Sequence, residues 1–185
     1  MTNSRQAQSM SASWTLAELH RMIWQMHDKE DFDTLQPTAR QLYISLGLQE
    51  SAALRAAGLL TSAYRLADRA EMASTRKEER AIYQQAAEKL CEIRRLFGRA
   101  MLTGALEAMW WKAFRHKQES RGFLLLFASL FLAKPDPIFA LRTTRFLHNA
   151  ARLHSDRDWE SVDVCLDQYW FEVSKKRCIP LVGGI

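Results

Sequence analysis

The chain has 185 residues, of which 48% are apolar and 25% carry a charge, and its formal net charge is +5 at pH 7. This length fits one domain or a closely packed pair, the apolar share is enough for a buried core, and the composition excludes wholesale disorder. The basic excess favours an acidic partner such as nucleic acid or an acidic protein surface, and it also fits a plain soluble basic protein.

The first half of the chain repeats apolar residues at the helical period and is divided by a few turn signals. Residues 15–18 have capping-box spacing and predict a helix that begins there. Residues 31–34 break this helix, Pro37 suits the first turn of the next, and Gly47 ends that one as a C-cap. Two short helices are then predicted, at about residues 50–57 and 59–72.

The second half begins with a strongly periodic segment that Thr75 caps and that runs to Phe97. Gly98 and Gly104 kink or interrupt its continuation, which stays helical through Phe114. The most apolar run, residues 122–133, is shorter than the roughly 20 residues of a membrane-spanning helix, so it is predicted to be a buried core helix.

Two helices are predicted after a hard break at Pro135 and Pro137, because proline lacks the N–H that a helix interior needs. The first covers residues 138–153, and the second starts from a cap at Ser155 or Asp156. The second carries a strict apolar seam at intervals of three and four: Trp159, Val162, Leu166, Tyr169 and Val173.

Together these elements predict an all-α protein, a compact bundle of about eight or nine helices without sheet. A single helical domain would cover residues 13–174, with a possible subdivision near residue 74 and at 134–137. Residues 1–12 are interpreted as a disordered tail and residues 175–185 as a flexible basic tail. The three separated cysteines and the lack of an apolar leader favour a reduced, cytoplasmic protein that does not bind membranes: Cys91, Cys165 and Cys178.

Catalytic and cofactor motifs are missing from the sequence. The five histidines have no carboxylate or cysteine at ligand spacing, no glycine-rich phosphate loop is present, and no nucleophile motif occurs. We therefore expect no metal, no cofactor and no enzyme activity. An enzyme or small-molecule sensor stays open as a remote alternative, since active sites can assemble from distant residues.

Basic residues form clusters in the later half of the chain. One stripe, spaced three, four and three on a predicted helix, consists of Arg142, Arg145, Asn149 and Arg152. A second cluster surrounds a helix junction and includes Lys112, Arg115, His116, Lys117 and Arg121, and a third consists of Arg94, Arg95 and Arg99. Arginine and asparagine suit phosphates and base edges, so these residues are candidates for nucleic-acid binding, with a solvated, ion-paired helix face as the alternative.

Trp110 and Trp111 are adjacent, and neighbouring helical side chains point about 100° apart. One of them is therefore expected to reach the surface. Such a tryptophan is either an anchor for a protein partner or a residue that lies under a long side chain.

A segment that begins with residues 46–50 and continues through Ala53, Leu59, Leu60 and residues 66–68 resembles part of the D subunit of the bacterial flagellar master transcriptional activator. Residues 39–42 loosely resemble the Ala-Gln-Arg-Leu motif of the same family. The whole match covers about thirty residues of the chain. The resemblance implies an all-helical regulator that binds DNA as part of an oligomer. The chain lacks the paired cysteines of that activator's zinc-binding C subunit.

Three functions follow from these observations. The leading prediction is a non-enzymatic helical regulator that binds nucleic acid within a homo- or hetero-oligomer. The alternative is an adaptor, chaperone or secretion accessory protein that binds another protein and no nucleic acid. A sensor or enzyme is the remote third.

Overall fold

The computed structural model describes residues 14–176, which form eight α-helices and contain no strand. The helices are α1 Leu16–Asp28, α2 Phe32–Ser45, α3 Glu50–Glu71, α4 Arg76–Leu96, α5 Leu102–Arg115, α6 Glu119–Ala133, α7 Pro137–Ser155 and α8 Trp159–Lys175. The predicted all-α class and multi-helix bundle are confirmed. None of these helices has the length and apolar character needed to span a membrane.

The helices form a closed ring. Each one packs against the helix before it, and α8 packs back against α1. Connections of only three to five residues make sequential neighbours antiparallel. Packing therefore crosses both predicted points of subdivision, near residue 74 and at 134–137. The predicted tail at residues 1–12 lies outside the described residues, and of the predicted basic tail only Lys175 and Lys176, at the end of α8, lie within them.

Local capping explains most helix starts. Thr15 and Glu18 form the predicted capping box, Thr75 caps α4, and Gly47 has the positive φ of a C-cap glycine. The prediction for α2 is wrong: Asp31 accepts a hydrogen bond from the Thr34 N–H and starts the helix there. Pro37 consequently lies inside α2 rather than in its first turn. The cap of α8 is Asp158, which lies two or three residues after the predicted Asp156 or Ser155.

Two glycines behave differently from the sequence interpretation. Gly58 does not separate two short helices, because α3 is continuous through it and buries alanine, leucine and tyrosine side chains along its length. Gly104 lies in the first turn of α5 and faces α4. A Cβ at this position would approach backbone atoms of Leu90 to 2.6 Å, so the glycine allows the two helix backbones to come close.

Side chains from alternate helices fill the interior of the ring. His27 of α1 stacks on Tyr64 of α3 with ring centroids 4.3 Å apart, and Tyr64 stacks on Trp111 of α5 at 5.1 Å. Near the C-terminal end of α4, Arg94 forms a buried ion pair with Glu107 of α5. The two ring stacks connect helices that are not sequential neighbours, whereas the ion pair joins the sequential neighbours α4 and α5. Together these contacts fix the relative positions of the helices.

Helix α6 is only half buried, which corrects the prediction of a buried core helix at residues 122–133. Its inner side buries Gly122, Leu126, Ser129 and Leu130. Its outer side exposes Leu124, Phe131 and Leu132 to solvent. The ring leaves the outer side of α6 facing solvent, whereas residues 122–133 of this helix are apolar on every side.

Candidate functional site

The predicted arginine stripe lies on the outside of α7. Arg142, Arg145, Asn149 and Arg152 are all exposed, while Phe139, Ala140 and Leu147 on the same helix are buried. Arg142 Nη1 lies 3.9 Å from Glu172 Oε1 on α8. Within residues 14–176, Arg145 and Arg152 form no ion pair. The structure thus brings the four residues to one surface, and their binding to nucleic acid stays a prediction.

Lys112 and Arg115 of the second cluster are held by carboxylates of neighbouring helices. Lys112 Nζ lies 2.8 Å from Glu79 Oε2 on α4. Arg115 is mostly buried, contacts Glu71, and donates a 2.9 Å hydrogen bond to Asp68 Oδ1 on α3. Both cations therefore join α5 to neighbouring helices, and each is paired with a carboxylate, Lys112 at the half-exposed surface and Arg115 mostly buried. This pairing makes them less available to phosphates than an unpaired cation would be, and their binding to nucleic acid stays a prediction.

Lys117 and Arg121, in contrast, are exposed: Lys117 lies in the turn between α5 and α6, and Arg121 lies in the first turn of α6. Lys117 has a positive φ of 55°, and Arg121 donates a 3.2 Å hydrogen bond to Gln118 Oε1. Since α6 and α7 are antiparallel, the start of α6 lies beside the end of α7, as the contact of the Phe123 and His148 rings at 5.6 Å shows. Both residues therefore lie at the Arg152 end of the α7 stripe.

The third cluster is not a common surface. Arg94 is buried with Glu107, and the carboxylate holds the pKa of the guanidinium above its usual value although burial opposes this. Arg95 is exposed and lies 3.6 Å from Glu92 on its own helix. Arg99 is exposed in the connection to α5. A cluster of cations that are close in sequence therefore divides between the interior and the surface.

Both tryptophans of α5 are fully buried, so the expectation that one of them reaches the surface is wrong. Trp111 faces the ring interior, where it stacks on Tyr64. Trp110 faces α6, where a Cβ added to Gly122 would lie 3.4 Å from its Cδ1 atom. Because α5 has a neighbour on each side as well as the interior, it buries two directions 100° apart. Neither residue is available as a surface anchor.

An exposed apolar surface, which the sequence interpretation missed, lies on the outer side of α6 and the start of α7. We call it the α6 face, and it consists of Leu124, Phe131, Leu132, Ile138 and Leu141. Phe131 of this face stacks on the half-buried Phe127, with ring centroids 6.0 Å apart. Ser129 is the one hydrogen-bonding side chain from residue 122 to 133, and it is buried, so α6 lacks a polar solvent side. The almost entirely apolar composition of residues 122–133 is the sequence signal from which this exposed surface could have been predicted.

A polar cavity of 440 Å³ lies where the C-terminal ends of α1, α3, α5 and α7 meet. His27 Nε2 lies 2.9 Å from Asp68 Oδ1, and His154 Nε2 lies 3.0 Å from Asp28 Oδ2. Burial raises the pKa of Asp68, but its contacts with His27 and Arg115 outweigh this and lower it. In the described part of the chain, no group of three or more histidine, cysteine or acidic residues is arranged to hold a metal ion.

Comparisons with family models, with curated proteins and with solved structures find no match to this chain.

Proposed function

We propose that this chain is a non-enzymatic helical interaction protein that binds another protein through the α6 face. The observation that carries the proposal is the exposure of a continuous apolar surface on a helix that has no polar side. Leu124 is 65% exposed and Ile138 is 66% exposed. Contiguous apolar surface of this kind on a soluble domain is typical of a docking site.

The charges around the α6 face define the partner's chemistry. Arg121 precedes the face, Lys134 follows it, and Arg142 and Arg145 of α7 flank it; all four are exposed. A second copy of the chain would bring cations against cations. A different protein whose apolar surface has an acidic rim would satisfy both the apolar centre and this basic rim.

The placement of the basic residues ranks protein binding above nucleic-acid binding. Nucleic-acid affinity depends on several cations that are available to phosphates. Arg94, Lys112 and Arg115 are occupied by carboxylates. Each fully buried leucine or phenylalanine, by comparison, contributes about 1.5–3 kcal/mol to an interface.

Site-specific photo-crosslinking tests the proposal in cells that naturally produce the chain. A crosslinking amino acid at Phe131 is expected to give one discrete adduct. The same amino acid at Val164 of α8, which is more exposed than Phe131 (58% against 36%), serves as the control. The protein in the adduct, once purified, should bind the chain with defined stoichiometry. Leu124→Glu should weaken that binding at least about tenfold, because it places a charge in the apolar centre. No discrete adduct at Phe131, or an unchanged affinity, would refute the proposal.

Nucleic-acid binding is the second candidate, which the exposure of the α7 stripe favours and the resemblance to the flagellar activator subunit supports. Five exposed cations are available to phosphates: Lys117, Arg121, Arg142, Arg145 and Arg152. If all five contact duplex DNA, the logarithm of the affinity should fall with the logarithm of salt concentration with a slope of roughly −4 to −5. Anisotropy with labelled duplex measures this slope, and Arg145→Glu with Arg152→Glu should flatten it. No binding at about 50 mM salt excludes this candidate.

A further inference from the structure

A groove of 610 Å³ follows the outer junction of α4 and α5. Its α4 wall runs from Arg80 to Ala87, and its α5 wall runs from Ala105 to His116. Eleven helical steps along α5 correspond to about 16 Å, or three turns. The groove is therefore long and narrow, and its shape follows a helix axis rather than a compact ligand.

Small and uncharged side chains form the floor of this groove. Four alanines, Ala87, Ala105, Ala108 and Ala113, leave both helix backbones close to the surface. Tyr83 contributes its ring, and burial raises the pKa of its hydroxyl to about 12, so the floor stays neutral at physiological pH. Met109 adds a flexible thioether that adapts to different apolar partners. A helix with a row of apolar side chains can approach closely here.

The rim of the groove is basic. Arg80, Lys112, His116 and Arg121 line it, and none of its lining residues within the described chain is acidic. Lys112 is fixed in place by Glu79 and by the Tyr83 ring, whose centroid lies 5.4 Å from Nζ. Arg80 and Arg121 form no ion pair with any residue between 14 and 176 and are exposed. Their charges are available to a partner.

We propose that the α4–α5 groove binds an acidic amphipathic helix of another protein. The apolar side of that helix packs on the alanine floor, and its carboxylates face Arg80 and Arg121. Apolar contacts supply most of the affinity, and the basic rim selects against neutral and basic helices. The floor of this groove lies on α4 and α5, whereas the α6 face lies on α6 and the start of α7, so the groove adds a second docking surface with a defined partner chemistry. Arg121 borders both surfaces, and Arg80→Glu and Leu124→Glu therefore test them separately.

Binding of designed helical peptides tests the proposal with the full chain. The probe is a fluorescein-labelled, side-chain-stapled peptide of about 16 residues with leucine and alanine on one side and glutamate on the flanks. Matched peptides carry glutamine or lysine in place of glutamate. Fluorescence anisotropy should show saturable binding of the glutamate peptide, binding at least fivefold weaker for the glutamine peptide, and none for the lysine peptide.

Variants of the exposed rim locate the binding without disturbing the fold. Arg80→Glu and Arg121→Glu should each weaken binding of the glutamate peptide roughly fivefold. Met109→Glu should weaken this binding further, because it places a negative charge in the apolar floor. Lys77→Glu reverses an exposed charge on α4, the helix that carries Arg80, at a position outside the groove, and it should leave binding of the peptide unchanged. Leu124→Glu, which disables the α6 face, should also leave it unchanged.

Three outcomes would overturn the proposal. The first is the absence of saturable binding of the glutamate peptide up to about 1 mM. The second is equal binding of the lysine peptide. The third is an effect of Arg80→Glu and Arg121→Glu no larger than that of Lys77→Glu.

Discussion

Replacing Glu107 with glutamine removes the carboxylate that neutralises Arg94 inside the ring. The side chains of Arg94 and Glu107 are 5% and 1% exposed, so water cannot take over the role of the lost partner. The guanidinium cannot lose its proton in a protein. The variant must therefore keep the guanidinium in the interior without its carboxylate counter-charge or open the junction between α4 and α5.

The expected cost is large for a single substitution. Breaking a buried ion pair by removing one partner costs about 3–5 kcal/mol, and we expect about 3 kcal/mol here because glutamine can still accept a hydrogen bond. For a chain of this size that corresponds to a fall of roughly 6–12 °C in the unfolding temperature. Arg95→Gln is the matched control. Its pair with Glu92 is exposed, so it should cost less than about 1 kcal/mol.

Urea unfolding followed by circular dichroism measures both variants. The double variant Arg94→Met with Glu107→Leu should recover most of the loss, since a well-packed apolar pair replaces a buried ion pair at little cost. An unfolding free energy of Glu107→Gln within about 1 kcal/mol of the parent, at an unchanged urea dependence, would contradict this account of the interior.

Three further predictions concern packing and pH, and urea unfolding checks each. Gly104→Ala should destabilise the protein by about 1–3 kcal/mol, because its Cβ meets the α4 backbone. Gly58→Ala should stabilise it by about 0.5–1 kcal/mol, because the nearest neighbour of the added Cβ is a flexible side-chain atom at 3.8 Å. Effects of equal sign would contradict the close approach at Gly104. Leu126→Ala should cost about 2–5 kcal/mol and Leu124→Ala less than about 0.5 kcal/mol, and a reversed order would mean that the inner and outer sides of α6 are exchanged. The lowered pKa of Asp68 gives a stabilisation that is present above about pH 4 and is lost as the pH falls through the folded-state value, so Asp68→Asn should lose less stability than the parent between pH 6 and pH 3; equal losses would exclude a role for this carboxyl.

Helix boundaries were predictable where the signal is local. The capping box at Thr15, the cap at Thr75 and the glycine at residue 47 all appear as the sequence indicated. Errors arose where two local signals competed. At the start of α2, the N-cap at Asp31 prevails over the preference of Pro37 for a first turn. At Gly58, packing along both halves of α3 outweighs the helix-breaking tendency of one glycine.

The candidate site was harder to predict because it depends on distant partners. The spacing of the α7 stripe correctly placed four residues on one outer surface. The cluster around the junction of α5 and α6 was not resolved in this way. Lys112 contacts a carboxylate 33 residues earlier in the chain, and Arg115 contacts one 47 residues earlier. No local sequence pattern predicts ion pairs between residues so far apart in the chain.

The sequence by itself determined that the chain is helical and where most helices begin and end, because capping, proline, glycine and periodicity act within a few residues. The tertiary structure alone decided which surfaces are available. Closing eight helices into a ring gives each one two neighbours and an interior. This geometry buries Trp110, Trp111 and Arg94, pairs Lys112 with Glu79, and leaves the outer side of α6 uncovered. The proposed docking surfaces follow from that closure.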